Sequence, residues 1–190
     1  MYTRRMVLTG SGAVAGAVLG GLLRPHVKAD GARRLRPPGA LPEREFLAAC
    51  TRCGQCIETC PFDTLNFCGL PGAALGTPCF DPQKVPCYLC RGLGEPRCIA
   101  VCPSGALRPA ASVRDIRIGT AAIDETRCLA YQGVVCRACW HACPLPNEAI
   151  RLGPTFRPVV DPALCIGCGL CTRACPTEPT SIPVQPPTTT

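Results

Sequence analysis

Apolar positions in this chain never settle into a long helical or strand period. The one continuous apolar run, Val7 to Leu23, is rich in glycine and follows Arg4 and Arg5. It is short and glycine-rich for a stable membrane span. A basic start, an apolar middle and the small-residue exit Val27-Lys28-Ala29 predict a signal peptide over residues 1–29, cleaved after Ala29. The paired arginines ahead of Leu8 predict that the twin-arginine translocase exports the chain. Residues 30–48 read as an arginine- and proline-rich linker with a turn at Pro37-Pro38-Gly39. From there on, apolar segments are short and come in a recurring order. Ala121-Ala122-Ile123-Asp124 and Pro158-Val159-Val160-Asp161 predict short strands, while Ser104-Gly105-Ala106-Leu107 and Asn147-Glu148-Ala149-Ile150 predict a turn and a returning strand. Residues 185–190 are expected to be a disordered tail.

The recurring order follows the cysteines. Sixteen of the 18 cysteines fall into four motifs across residues 49–184. Motif one is Cys50, Cys53, Cys56 and Cys60 followed by Pro61; motif four is Cys165, Cys168, Cys171 and Cys175 followed by Pro176. Both have the spacing Cys-x2-Cys-x2-Cys-x3-Cys-Pro. Motif two, Cys87, Cys90, Cys98 and Cys102 with Pro103, and motif three, Cys128, Cys136, Cys139 and Cys143 with Pro144, each lengthen one gap to seven residues. Closely spaced thiolates wrap one face of a cubane, and in two-cluster ferredoxins the fourth cysteine reaches the other cluster. The proline behind it fixes the backbone and removes an N–H. These spacings predict four 4Fe–4S clusters. The lengthened gaps, Arg91–Arg97 and Leu129–Val135, are expected to be loops that leave the cluster geometry intact.

Zinc sites usually pair two Cys-x2-Cys knuckles across a longer gap and have no use for a third cysteine or the following proline. A pure disulfide scaffold would leave the fourfold repeat unexplained. The expected fold class is α+β: two bacterial-type 2[4Fe–4S] ferredoxin-like units, with small strands and short helices around the clusters. Motifs two and three are close in sequence and flanked by short strands, so they are expected to pair, enclosed by a pairing of motifs one and four. Sequential pairing, one with two and three with four, is the alternative. Cys68 and Cys79 lie outside the motifs in the loop Asn66–Phe80; they either close it as a disulfide or remain two unlinked thiols.

Composition fits a fold held by its cofactors. Aromatic residues make up 5%, with 22 prolines and 19 glycines, which argues for turns and short elements rather than a large core. The formal charge of +7 invites a nucleic-acid reading, but Arg4, Arg5, Arg24 and Lys28 lie in residues 1–29 beside no acid, and the remainder carries +3. Four clusters would add roughly −8. A basic stripe with interleaved aromatics is also missing, so no nucleic-acid partner is expected. His141, beside Trp140 in motif three, reads as a surface imidazole, and Arg91, Arg97, Arg137 and Arg173 read as solvated cations. With one histidine beyond the leader and no nucleophile motif, no catalytic residue is expected.

Residues 34–177 resemble the NapG/MauM group of ferredoxin-type proteins, encoded beside periplasmic nitrate reductase and methylamine dehydrogenase. The resemblance rests on Arg34-Leu35-Arg36-Pro37-Pro38-Gly39-Ala40-Leu41, Arg52-Cys53-Gly54-Gln55-Cys56 and Cys60-Pro61-Phe62-Asp63-Thr64-Leu65. Gly76-Thr77-Pro78, Pro86-Cys87 and Cys102-Pro103-Ser104-Gly105-Ala106-Leu107 continue it. It implies an electron carrier of the periplasm, not an enzyme, that works between a membrane polyferredoxin acting as quinol dehydrogenase and a periplasmic redox enzyme or cytochrome. The alternative function is a maturation factor for a periplasmic oxidoreductase such as nitrate reductase or methylamine dehydrogenase. Cys79, the long loop after Cys90 and the short segment between motifs three and four depart from the group's pattern.

Overall fold

Short antiparallel hairpins, rather than long elements, carry this chain between its cysteine motifs. The computed structural model describes residues 34–69 and 74–187. The expected leader at 1–29 lies outside the described residues, as do 30–33 of the expected linker and 188–190 of the expected tail. Among the described residues the helices are α1 (Glu43–Ala49), α2 (Gln55–Glu58), α3 (Arg97–Ala100), α4 (Ala138–Ala142) and α5 (Leu170–Ala174). The strands are β1 (Asn66–Phe67), β2 (Pro78–Cys79), β3 (Thr120–Ala121), β4 (Ile150–Leu152), β5 (Pro158–Val160) and β6 (Val184–Gln185). A 3-10 turn, Val113–Asp115, interrupts the connection between motifs two and three.

Two halves share one strand plan. In the first, β1 after motif one pairs antiparallel with β2 before motif two, Asn66 opposite Cys79. The segment before motif one bridges the segment after motif two, Ala40 opposite Leu107. In the second half, β4 after motif three pairs with β5 before motif four, and β3 before motif three pairs with β6 after motif four. Each half thus closes motif one on two, or three on four. The short helices report the same pairing: α2 packs on α3 and α4 on α5.

This corrects the expectation that motifs two and three pair inside an enclosing pair of one and four. Nearness in sequence was a poor guide. The connection from motif three to motif four is a tight hairpin, with the Gly153 N–H donating to the Arg157 carbonyl at 2.9 Å. The connection from motif one to motif two also closes as a hairpin, β1–β2. Local closure costs less chain entropy than the long returns that a nested arrangement needs. The connection between motifs two and three instead passes from one half to the other.

Two boundaries also move. The expected linker is part of the fold: Leu35 and Arg36 are buried, and Phe46 on α1 is fully buried at 0% exposure. The expected turn at Pro37-Pro38-Gly39 forms, with the Ala40 N–H on the Pro37 carbonyl at 3.2 Å. At the other end, Gln185 lies in β6 opposite Thr120 rather than in a disordered tail. Buried Ile182 just ahead of it anchors that segment. One apolar cluster gathers Phe46, Leu65, Ile99, Leu107, Ile116, Ile118 and Ile166; a second gathers Ala121, Ile150 and Ile182.

Candidate metal centres

Each of the helices α2 to α5 carries one cysteine to a void, and the backbone beyond it carries another away. Helix α2 starts from Gly54 at φ +79° and holds Cys56 on its inner side. At the far ends of α4 and α5, Cys143 and Cys175 leave the helix in extended conformation, at ψ 132° and 127°. The next residue is proline in both cases, and proline favours such a conformation in the residue before it. The departing cysteine is therefore aimed at the neighbouring void rather than its own.

Four voids result, each lined by three cysteines of one motif and the last cysteine of its partner. Cys50, Cys53 and Cys56 meet Cys102 in the first. Cys87, Cys90 and Cys98 meet Cys60 in the second. Cys128, Cys136 and Cys139 meet Cys175 in the third, and Cys165, Cys168 and Cys171 meet Cys143 in the fourth. All four span about 330–350 Å³ including their open mouths, so the lengthened motifs make cavities of the same size as the regular ones. The extra residues turn outward. Leu93 N–H returns to the Cys90 carbonyl at 2.8 Å, Val134 N–H to the Leu129 carbonyl at 3.0 Å, and Cys98 and Cys136 rejoin their cavities.

The cavities form a row whose order differs from the order in sequence. Cys98 of the second cavity lies within electrostatic reach of Cys56 of the first. Cys171 of the fourth lies within reach of Cys139 of the third. The two halves meet where the Cys87 N–H donates to the Cys168 carbonyl at 2.8 Å, joining the second cavity to the fourth. The row therefore runs first, second, fourth, third. At this seam Gly169 at φ +81° packs on Pro82 of the first half, and within the second half Gly167 at φ +73° packs on Gly119. A side chain at either glycine would meet both strain and overlap.

Burial pushes the Cys87 and Cys168 thiols up to about 12, and Cys56 and Cys139 to about 11, with neighbouring sulfurs adding to the rise. Thiols so raised are poor nucleophiles. Two sulfurs differ. Burial raises Cys175, but hydroxyls of Ser181 at 3.3 Å and Thr177 at 3.2 Å, together with the backbone groups of the same two residues, outweigh it and bring the thiol to about 7. Cys102 is likewise lowered against its burial, by backbone groups of Leu107 and by the Ser104 hydroxyl at 3.7 Å. Sequence reasoning missed these hydroxyls, though motifs two and four each signal one: Ser104 and Thr177 both stand two residues after a fourth cysteine.

Cys68 and Cys79 are joined as a disulfide, with Cα atoms 5.6 Å apart. Beside it lies another feature that sequence reasoning missed, the buried Arg36. Its guanidinium donates to Glu43 at 2.9 Å, to the Thr77 hydroxyl at 2.8 Å and to the Pro78 carbonyl at 2.9 Å, and it stacks over Phe46 at 4.8 Å. His141 is exposed and meets Trp140 edge-on at 4.8 Å. Arg91, Arg97, Arg137 and Arg173 are all exposed.

A family described as "4Fe-4S binding domain" matches residues 47–66 and 158–179, the regions of motifs one and four. The chain is 40% identical to the ferredoxin-type protein NapG of Escherichia coli K12, over 97% of this chain and 84% of that protein. It is 41% identical to the methylamine utilization ferredoxin-type protein MauM of Paracoccus denitrificans, over 93% of this chain and 82% of that one. For MauM of Methylorubrum extorquens the identity is 38%, over 98% and 87%.

Proposed function

Because the chain belongs to the NapG/MauM group of ferredoxin-type proteins, electron carriers rather than enzymes, we propose that it relays single electrons along four 4Fe–4S clusters in the periplasm. The observation that carries this reading is the division of sixteen cysteines into four equal sets, each facing one shared void. The donor set fits. Among the described residues no group of three or more His, Cys, Asp or Glu side chains could hold a single metal ion. Sulfurs spread around a void suit the four corners of a cubane and do not suit zinc, which draws its ligands to one point.

When bound, each cluster supplies reversible one-electron chemistry. The chain's own residues set the path. The crossed fourth cysteines tie each cluster to its neighbour, and the Cys87–Cys168 backbone contact ties the two halves together. The three motif cysteines of the second and of the fourth cavity are all buried, while Cys53 is exposed and Cys136 half-buried at the two ends of the row. Electrons enter at one end and leave at the other. The partners are a membrane polyferredoxin that oxidises quinol and a periplasmic redox enzyme or cytochrome. Export through the twin-arginine translocase suits a carrier whose clusters are assembled before it crosses the membrane.

The test uses inner-membrane vesicles that carry the polyferredoxin. Supplied with quinol, they should bleach the cluster absorbance of added protein, and vesicles lacking the polyferredoxin should not. Equal bleaching with both kinds of vesicle would contradict the proposed donor.

A further inference from the structure

We infer that the first and third clusters, at the ends of the row, have higher reduction potentials than the second and fourth between them, and that the hydroxyls of Ser104, Thr177 and Ser181 set the difference. The inference rests on the four-cluster reading above and adds to it where electrons come to rest.

The four repeats offer an internal comparison. Two residues beyond the fourth cysteine stand Phe62, Ser104, Leu145 and Thr177 in motifs one to four. Because the fourth cysteines cross, Ser104 serves the first cavity through Cys102 and Thr177 serves the third through Cys175. Both outer cavities receive a hydroxyl, and both inner ones face an apolar side chain. At Cys175 the hydroxyl geometry is defined. Thr177 Oγ1 accepts the Ser181 N–H at 2.8 Å, which leaves its own proton for the sulfur at 3.2 Å; Ser181 Oγ lies 3.3 Å away on the same sulfur. A cysteine bound to iron is a thiolate, so it can only accept. Each donated bond stabilises the more negative, reduced state and raises the potential.

Burial and charge act in the same direction. All three motif cysteines of the second and fourth cavities are buried, and burial opposes the added negative charge. An inner cluster also has anionic neighbours on both sides, an outer one on a single side. The inner cavities do receive backbone donors, Arg97 N–H to Cys90 and Ala121 N–H to Cys165, each at 3.4 Å. At 3.4 Å they are longer than the two Cys175 contacts and shorter than the 3.7 Å Ser104–Cys102 contact, so the hydroxyl effect is strongest at the third cavity. Electrons therefore rest at the ends of the row, and the inner pair is a bridge that they cross without dwelling.

An anaerobic redox titration of the holoprotein, followed by electron paramagnetic resonance, tests this. Two steps should reduce at higher potential and two at lower. In Thr177→Val with Ser181→Ala, one step of the higher group should fall, its reduced-to-oxidised ratio at the wild-type midpoint dropping about tenfold, or ~59 mV for a one-electron couple. Thr177→Ser should leave it in place. Phe62→Ser puts a hydroxyl beside Cys60 and should raise one step of the lower group. Unmoved potentials in fully loaded protein, or a shift confined to the lower group in the double variant, would overturn the inference while leaving four clusters standing. An iron content well short of sixteen in the wild-type protein would remove the reading beneath it.

Discussion

The backbone N–H of Cys87 donates to the carbonyl oxygen of Cys168 across 2.8 Å. This bond joins the second cavity to the fourth where the two halves meet. Beside it, Gly169 lets the fourth motif approach Pro82 of the first half more closely than a side chain would permit. Gly169→Ala should therefore loosen the seam. Overpacking and the left-handed backbone together should cost ~2 kcal/mol. Anaerobic holoprotein should bleach at lower urea concentration, and magnetic coupling between the halves should weaken.

Crossed ligation makes a second prediction. Cys60 and Cys98 serve one cavity although they belong to different motifs. Removing both, as Cys60→Ala with Cys98→Ala, should lose a single cluster and leave about twelve irons. Cys60→Ala with Cys165→Ala should lose two and leave about eight. Iron and sulfide analysis separates these outcomes. The reverse pattern would restore the nested arrangement.

Phe46 is fully buried and lines the first cavity beneath the Arg36 guanidinium. Phe46→Ala should cost ~3–5 kcal/mol. The first cluster should be lost before the other three on exposure to denaturant, and iron analysis along the titration would show it.

The disulfide closes a loop of 11 residues in sequence separation beside the same arginine. Cys68→Ser with Cys79→Ser should lower stability by up to ~3 kcal/mol in the chain-entropy model. Proteolysis should then begin in residues 68–79. All four clusters should remain, because neither sulfur lines a cluster cavity.

Much of this molecule could be read from its cysteines. Their spacing marked the four motifs, and β5 and the start of β4 at Ile150 lie where strands were expected, while β3 overlaps its expected run, 121–124, only at Ala121. Pairing was not legible in the same way. Which motif closes on which depends on hairpin registers such as Asn66 opposite Cys79, and two-residue strands leave almost no periodic trace. Residues 34–48 looked like linker because arginine and proline dominate them. Burial of Arg36 depends on Glu43, Thr77 and Pro78 arriving from elsewhere in the chain. The hydroxyls on Cys175 were hidden for a similar reason: Ser181 reaches the sulfur only because the chain folds back after Thr177.

The central claim is four cubane clusters on sixteen cysteines, and iron is its most direct measure. Protein purified without oxygen should hold about sixteen irons and as many inorganic sulfides per chain. It should be brown, with broad absorption that bleaches on reduction. Zinc in place of iron, or iron that stays near eight after full reconstitution, would contradict the account.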